Sequence, residues 1–198
     1  MFQLTNKEVS KMIKELADLM QINGDNKYKI RAYKNVSRTI MNLDQSLLAY
    51  VKQNRLQDIR GIGKGIADTI KEIFEKGKST YLEELKTELP AGVLELIKVP
   101  GLGPVRAHKL YYELGIENID DLKSALKKGK VKKLKGFGAK SEAKLLRALS
   151  RYEQYQGLIY ISEAKEIASD LSTYFTEKCQ TIQEVRVTGA TRRHKEEL

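Results

Sequence analysis

Three glycine pairs carry the clearest chemistry in this chain: Gly61 with Gly63, Gly101 with Gly103, and Gly136 with Gly138. Each pair brackets one apolar residue, respectively Ile62, Leu102 and Phe137. Glycine reaches positive φ without steric penalty and lets another backbone approach closely. A turn of this kind between two short helices aims main-chain N–H groups outward, at its own bend and at the N-terminus of the following helix. Such amides form an anion site suited to one or two phosphates. The apolar residue between the glycines is expected to plug the turn into the core. A grip of this type reads no base sequence; it holds a sugar-phosphate chain and fixes register.

The pairs belong to a repeat. Residues 56–70, 96–110 and 131–145 share one pattern: apolar, two variable positions, apolar, one variable position, Gly, apolar, Gly, three residues, then an apolar run containing Ala or Ser. The first glycines fall at 61, 101 and 136, steps of 40 and 35 residues. A single Gly-x-Gly is equally well read as a tight helix–helix turn. Three copies in register, with apolar residues at matched offsets, argue a repeated device. A dinucleotide-binding reading fails, because no strand pattern precedes the glycines and the third glycine of G-x-G-x-x-G is missing in all three.

Charge points to the same class of partner. The 198 residues hold 36 Lys plus Arg against 26 Asp plus Glu, a net charge of +10. Between Lys123 and Arg151 there are eleven cations and one anion, Glu142, so eleven minus one accounts for the whole excess. Lys127, Lys128, Lys130, Lys132, Lys133, Lys135 and Lys144 form the densest part. Lysine-rich stretches are commonly solvated helix faces, but those interleave glutamate, and this one does not. A nucleic-acid backbone is the expected partner.

Other chemistries are poorly provided for. One cysteine, Cys179, allows no internal disulfide and no cysteine-based zinc site. The two histidines, His108 and His194, are too far apart for a zinc cluster, and His108 reads as a surface residue on the helix after the second glycine pair. No run approaches the ~18 apolar residues of a membrane span. The N-terminus lacks the basic and apolar regions of a secretory signal. A cytoplasmic, nucleoid-associated monomer is expected.

The elements that position these turns read as helices. Three prolines among abundant Leu, Ile, Lys and Glu predict a mainly helical chain. Thr5 to Glu8 fits a capping box, followed by Val9, Met12, Ile13, Leu16, Leu19 and Met20 at helical spacing. The run Asn23-Gly24-Asp25-Asn26 breaks that helix. A second helix carries Ile30, Tyr33, Val36, Ile40 and Leu43, and Leu47, Leu48 and Val51 mark a short third. Towards the end, Ser162 is placed to cap a helix lined by Ala164, Ile167, Ala168 and Leu171. The β-branched alternation from Thr181 to Val187 predicts a strand.

The three segments are identified as helix-hairpin-helix motifs, and their arrangement resembles the N-terminal part of a family X DNA polymerase, bacterial members most closely. The segment from Asn23 to Tyr33 looks like that family's loop into its second helix, and Gly136-Phe137-Gly138 with Lys140-Ser141-Glu142 looks like the bacterial branch. The resemblance covers essentially the whole chain. It implies tandem helix-hairpin-helix domains: a small end-binding domain over 1–80, a second helical subdomain over 81–156 with the other two hairpins, and the short α/β beginning of a nucleotidyltransferase palm over 157–198. It implies gapped or nicked DNA as partner, in base excision or end-joining repair. Phosphate would meet the amides of Gly63, Lys64 and Gly65, and of Gly103, Val105 and Arg106, with Lys140 serving the third hairpin. Pro104 has no amide but suits the first turn of a helix. A monovalent cation, sodium or potassium, would be held by the carbonyls of Gln57, Ile59 and Ile62, and of Ile97, Val99 and Leu102.

The chain departs from the family at its catalytic positions. Some members form a Schiff base through a lysine of the small domain; the matching residue here is Thr69, and the helper lysines fall on Asn35 and Gly65. No efficient lyase is expected by that route. In the palm-like turn, Gly189, Ala190 and Arg192 would hold nucleotide phosphates, with Ala190 standing where the family usually has serine. Nucleotidyl transfer needs carboxylates holding two metal ions about 4 Å apart, magnesium or manganese in the family. The nine residues after Gly189 offer Glu196 and Glu197, so this chain is expected not to polymerise DNA by itself. Two alternatives stay open on sequence: a stand-alone helix-hairpin-helix DNA-binding module, and an RNA-binding protein of ribosomal type.

Overall fold

The first helix begins where the sequence places its cap. In a computed structural model, which describes residues 2–154 and 161–178, the Thr5 hydroxyl accepts the Glu8 amide at 3.2 Å and the Glu8 carboxylate accepts the Thr5 amide at 2.6 Å. These bonds from Thr5 hold the Glu8 carboxyl below its ordinary pKa. Helix α1 (Asn6–Asn23) follows and ends on Gly24, whose φ of 83° is the left-handed stop expected of glycine. Replacing Thr5 by alanine should cost about 1 kcal/mol, read as a lower urea midpoint with unchanged slope.

Helix α2 (Lys27–Met41) starts on Asn26, whose side chain accepts the Tyr28 amide at 2.8 Å. The two helices are braced through small buried residues: Ser10 Oγ donates to the Ser37 carbonyl at 2.7 Å, and Ser37 Oγ donates to the Ser10 carbonyl at 3.0 Å. Around that brace Val9, Ile13, Leu16 and Met20 of α1 and Ile30, Tyr33, Val36 and Ile40 of α2 are buried. After the short α3 (Leu47–Lys52) come α4 (Lys64–Lys76), α5 (Thr80–Glu88), α6 (Ala91–Leu96), α7 (Pro104–Leu114), α8 (Ile119–Lys127), α9 (Ala139–Gln154) and α10 (Ile161–Lys178).

One apolar core runs from Val9 through Phe74 to Leu82, Leu85, Val93 and Ala107. Position 80 is therefore no gap in packing: α5 and α7 lie against α1, the same helix that carries α2. The Glu72 carboxylate joins α4 to α5 by accepting the Thr80 hydroxyl and, at 3.1 Å, the Thr80 amide. The chain divides into two compact units, residues 1–149 and 150–198, and the hairpins all lie in the first.

In the second unit, Ser162 lies inside α10, which is already helical at Ile161, so it is not the cap the sequence predicts. Ala164 is buried, whereas Ile167 and Leu171 are exposed. Among the described residues the architecture is all helical, with tandem helix-hairpin-helix units. The strand expected over 181–187, Cys179, His194 and the turn at Gly189, Ala190 and Arg192 lie outside the described residues. No helix among the described residues is long and apolar enough to cross a membrane.

Candidate nucleic-acid interface

The three glycine turns share one backbone. In the first, a 3-10 turn (Leu56–Asp58) leads to an extended Ile59, whose carbonyl accepts the Ile62 amide at 3.0 Å. In the second, Val99 accepts from Leu102 at 3.0 Å. In the third, a 3-10 turn (Val131–Lys133) leads to an extended Leu134, which accepts from Phe137 at 3.0 Å. The third residue of each turn is a glycine at positive φ: 93° at Gly61, 85° at Gly101 and 95° at Gly136. That is the type II arrangement, where glycine is needed and Pro100 is favoured at the preceding position. The plugs are seated as the sequence predicts, with Ile62, Leu102 and Phe137 buried.

The second glycine of each pair has a different reason to be there. Gly63 (φ −84°, ψ 174°) and Gly103 (φ −79°, ψ 172°) hold ordinary extended backbone at the N-caps of α4 and α7. Any residue adopts that conformation. A side chain built at Gly63, Gly65, Gly103 or Gly138 would meet nothing within 4 Å. Folding thus makes no demand for glycine at these four positions, and at Gly65, inside α4, it forgoes about 0.5–1 kcal/mol relative to alanine. No side chain caps α4 or α7, so the first amides of α4 at Lys64, Gly65 and Ile66 stay free, as does that of Val105. The Arg106 amide differs from expectation, since it donates to the Gly103 carbonyl at 2.9 Å. Its guanidinium donates instead to the Gly101 carbonyl at 3.0 Å and lies 5.3 Å from the Phe137 ring centre.

That contact sets the second hairpin beside the third. Lys109 Nζ strengthens the pairing by donating to the Lys135 carbonyl at 2.6 Å. Glu142 is used locally: its carboxylate accepts the Lys132 amide at 2.9 Å and closes its own hairpin. Lys127, Lys128, Lys130, Lys132, Lys133, Lys135, Lys140 and Lys144 are all exposed. None of them pairs with a carboxylate among the described residues; the ion pairs found there lie between Lys14 and Lys86 in the chain. Unneutralised charge therefore surrounds the third turn.

His108 is not the surface residue expected. It is half-buried, with Nδ1 donating to the Ile22 carbonyl at 2.7 Å, and one turn later the Tyr112 hydroxyl donates to the Asn23 carbonyl at 3.4 Å. Helix α7, which starts at the second hairpin, thus satisfies the final carbonyls of α1. A helix C-terminus always leaves such acceptors, but which donors reach them is not written locally.

Thr69 lies on α4. Its hydroxyl donates to the Gly65 carbonyl at 3.0 Å and lies 3.1 Å from the Tyr33 hydroxyl. Lys64 and Lys71 line a hollow with Asn54, Gln57 and Asp68, and Lys71 Nζ donates to Asn54 Oδ1 at 2.7 Å. No group of three or more His, Cys, Asp or Glu side chains suited to a metal ion occurs among the described residues. Main-chain oxygens are another matter. The carbonyls of Gln57 and Ile62, and of Ile97 and Leu102, accept no backbone hydrogen bond, while Ile59 and Val99 each accept one and retain a lone pair.

Repeated turns of this geometry, each feeding a helix with free amides, define a tandem helix-hairpin-helix protein. Comparison with known proteins agrees in detail. Residues 4–79 match a helix-hairpin-helix domain and residues 93–151 match a SAM-like helix-hairpin-helix tandem. The DNA polymerase/3'-5' exonuclease PolX of Bacillus subtilis (strain 168) is 35% identical over 190 residues, covering 96% of this chain and 33% of that protein. DNA polymerase lambda of Arabidopsis thaliana is 28% identical over 120 residues, covering 60% of this chain and 22% of that protein. The chain is thus similar over nearly its whole length to one third of that bacterial polymerase, and it carries two matched helix-hairpin-helix regions. It spans about a third or less of the length of these relatives.

Proposed function

We propose that this chain is the DNA-holding part of a family X polymerase, gripping the backbone of gapped or nicked DNA without sequence preference. The observation that carries the reading is the set of glycines at 63, 65, 103 and 138 that the fold does not require. Each lies beside a helix N-terminus, where bare backbone lets a phosphate reach the free amides. The first hairpin would take the 5′-phosphate side of a gap and the second the primer side, with the lysines around the third hairpin neutralising further phosphates. In the parent polypeptide the role would be short-gap filling in base excision or end-joining repair with magnesium or manganese, in the cytoplasm at the nucleoid. Thr69 in place of an amine supports a holding role rather than a lyase role for the first hairpin.

The carbonyl sets of Gln57, Ile59 and Ile62, and of Ile97, Val99 and Leu102, fit a monovalent cation: each offers main-chain oxygens on one turn with acceptor capacity to spare. A sodium or potassium ion there would lend positive charge next to a phosphate oxygen. The residues' own part is to hold that turn rigid, which the buried plugs Ile62 and Leu102 do.

Binding should weaken steeply with salt. The slope of log K against log salt is about −0.9 per duplex phosphate contacted, so a grip on six phosphates gives a slope near −5. Fluorescence anisotropy on a 5′-phosphorylated gapped duplex, titrated with potassium chloride, measures it. A flat salt response, or structured RNA of equal length outcompeting the gapped DNA, would reject the reading.

A further inference from the structure

We propose that His108 on α7 fixes the span between the first and second hairpins, so that the chain selects among gaps by their length; the inference rests on the DNA-holding reading. The two hairpins are joined through one turn, residues 23–26 between α1 and α2. Its last residue, Asn26, caps α2, and α2 carries Val36 against Gly61 of the first hairpin, 3.6 Å from where a side chain there would begin. From the other side comes α7, whose N-cap Gly103 belongs to the second hairpin. His108 Nδ1 donates to the Ile22 carbonyl at 2.7 Å. The His108 ring lies 4.6 Å from that of Tyr112, whose hydroxyl donates to the Asn23 carbonyl at 3.4 Å. His108 is three residues past the free amide of Val105, about 4.5 Å along the helix axis. A shift at His108 therefore carries the phosphate donors of the second hairpin with it.

Apolar packing alone leaves the angle of α7 open. The helix meets the core that begins at Val9 through Ala107, the smallest apolar side chain, and the partly buried Tyr111. Its Leu110 is buried outside that core. Rolling α7 on α1 thus forfeits few van der Waals contacts, and directional hydrogen bonds set its place. Helix α1 is built to receive them. It has no basic side chain in its last turn, and the carbonyls of Ile22 and Asn23 accept no backbone bond. Gly24 also makes room, since a Cβ there would lie 3.1 Å from His108 Cε1. Helix α5 clamps the same turn, its Tyr81 hydroxyl donating to the Asp25 carboxylate. Burial and that carboxylate push the Tyr81 pKa up, so the hydroxyl stays a donor. Two grips on one ligand reinforce each other when their separation matches it, and a stiff connection makes the match sharp. Each nucleotide of gap adds about 3.4 Å to the separation of the two DNA ends along a duplex. A fixed span between the hairpins favours one gap length; a loosened span accepts several.

The test uses the 198-residue chain and two variants, His108→Ala and His108→Asn. Asparagine keeps an N–H donor near the place of Nδ1. Far-UV circular dichroism of both should match the parent. Anisotropy is read on 5′-phosphorylated duplexes with gaps of one to six nucleotides. Two one-sided probes accompany them, one lacking the primer strand and one lacking the downstream strand. The parent should peak at one gap length and bind the worst length at least about fivefold more weakly. His108→Ala should lose about fivefold at the peak, the worth of one neutral hydrogen bond, and flatten the profile, while each one-sided probe moves less than about twofold. His108→Asn should restore the peak. Equal losses on gapped and one-sided probes, a peak that survives alanine, or a flat parent profile overturns the proposal. A DNA-free measurement runs beside it, with spin labels at Arg60→Cys and Lys98→Cys, both exposed next to the hairpins, in a Cys179→Ser background. The distance distribution should be narrow in the parent, broad in His108→Ala and narrow again in His108→Asn. If the parent ignores every gapped duplex, the DNA-holding reading fails; the label distances still decide the brace, which a distribution unchanged by alanine overturns.

Discussion

A chain carrying Gly63→Asp and Gly103→Asp should lose at least a hundredfold in affinity for gapped DNA while melting no lower than its parent. The two effects have opposite signs for one reason. Both glycines are N-caps with extended backbone and open space around them. Aspartate is among the best N-cap residues and its charge suits the positive end of the helix. Its carboxylate would accept the same amides that are free in α4 and α7, as the Asn26 side chain accepts the Tyr28 amide in α2. Stability should hold or rise by about 0.5–1 kcal/mol per site. The phosphate would then find its donors taken and a like charge in place. Hydrogen bonds to charged groups contribute about 1.5–3 kcal/mol each, so one lost per hairpin gives roughly 10- to 100-fold. The two sites are on separate helices, and their effects should combine. As a charge control, Gln3→Glu with Gln45→Glu, both exposed and away from the hairpins, should shift affinity by less than about threefold. Gapped-DNA affinity that survives the aspartates would show that these amides do not hold phosphate.

That pair of positions also shows what was legible in the sequence. The hairpins were, because a type II turn needs glycine at a fixed offset from buried apolar residues, and both are local in the chain. The capping box at Thr5 and the stop at Gly24 were legible for the same reason. Contacts between segments far apart in sequence were not. The bond from His108 to Ile22 spans 86 residues, and no periodicity on α7 announces that its donors meet the end of α1. Arg106 was read as a backbone donor, but a helix can tighten its first turn with an i→i+3 bond, which takes that amide and leaves the guanidinium to act.

Glycine at 92 is the reverse of glycine at 63, and Gly92→Ala should destabilise the fold by about 2–3 kcal/mol. A Cβ there would lie 2.3 Å from the Glu117 carbonyl oxygen, 2.8 Å from Asn118 Cβ and 3.0 Å from Asn118 Cα. These are mostly main-chain atoms or atoms next to the main chain, so no side-chain rotation relieves the clash. Backbone shifts forced by one inserted carbon cost about 1–3 kcal/mol. The helix-propensity gain of alanine over glycine, about 0.5–1 kcal/mol, offsets part of it. A further loss comes from the residue displaced: Asn118 is the N-cap of α8, and its Oδ1 accepts the Asp121 amide at 2.8 Å. Moving it weakens that cap by about 1 kcal/mol and loosens α8, which leads into the third hairpin. Valine at 92 should be worse, since its branched carbons have no free direction. The effect should be local first: hydrogen exchange should speed up in α8 and the third hairpin before α1 or α2. The first hairpin, packed against Val36, should keep its grip on a 5′-phosphate, so gapped-DNA binding should weaken rather than vanish. Urea midpoints for the parent and Gly92→Ala decide the matter. A variant as stable as its parent would mean that the loop at 117 and 118 yields freely and that close packing of α6 beneath it does not hold the third hairpin in place.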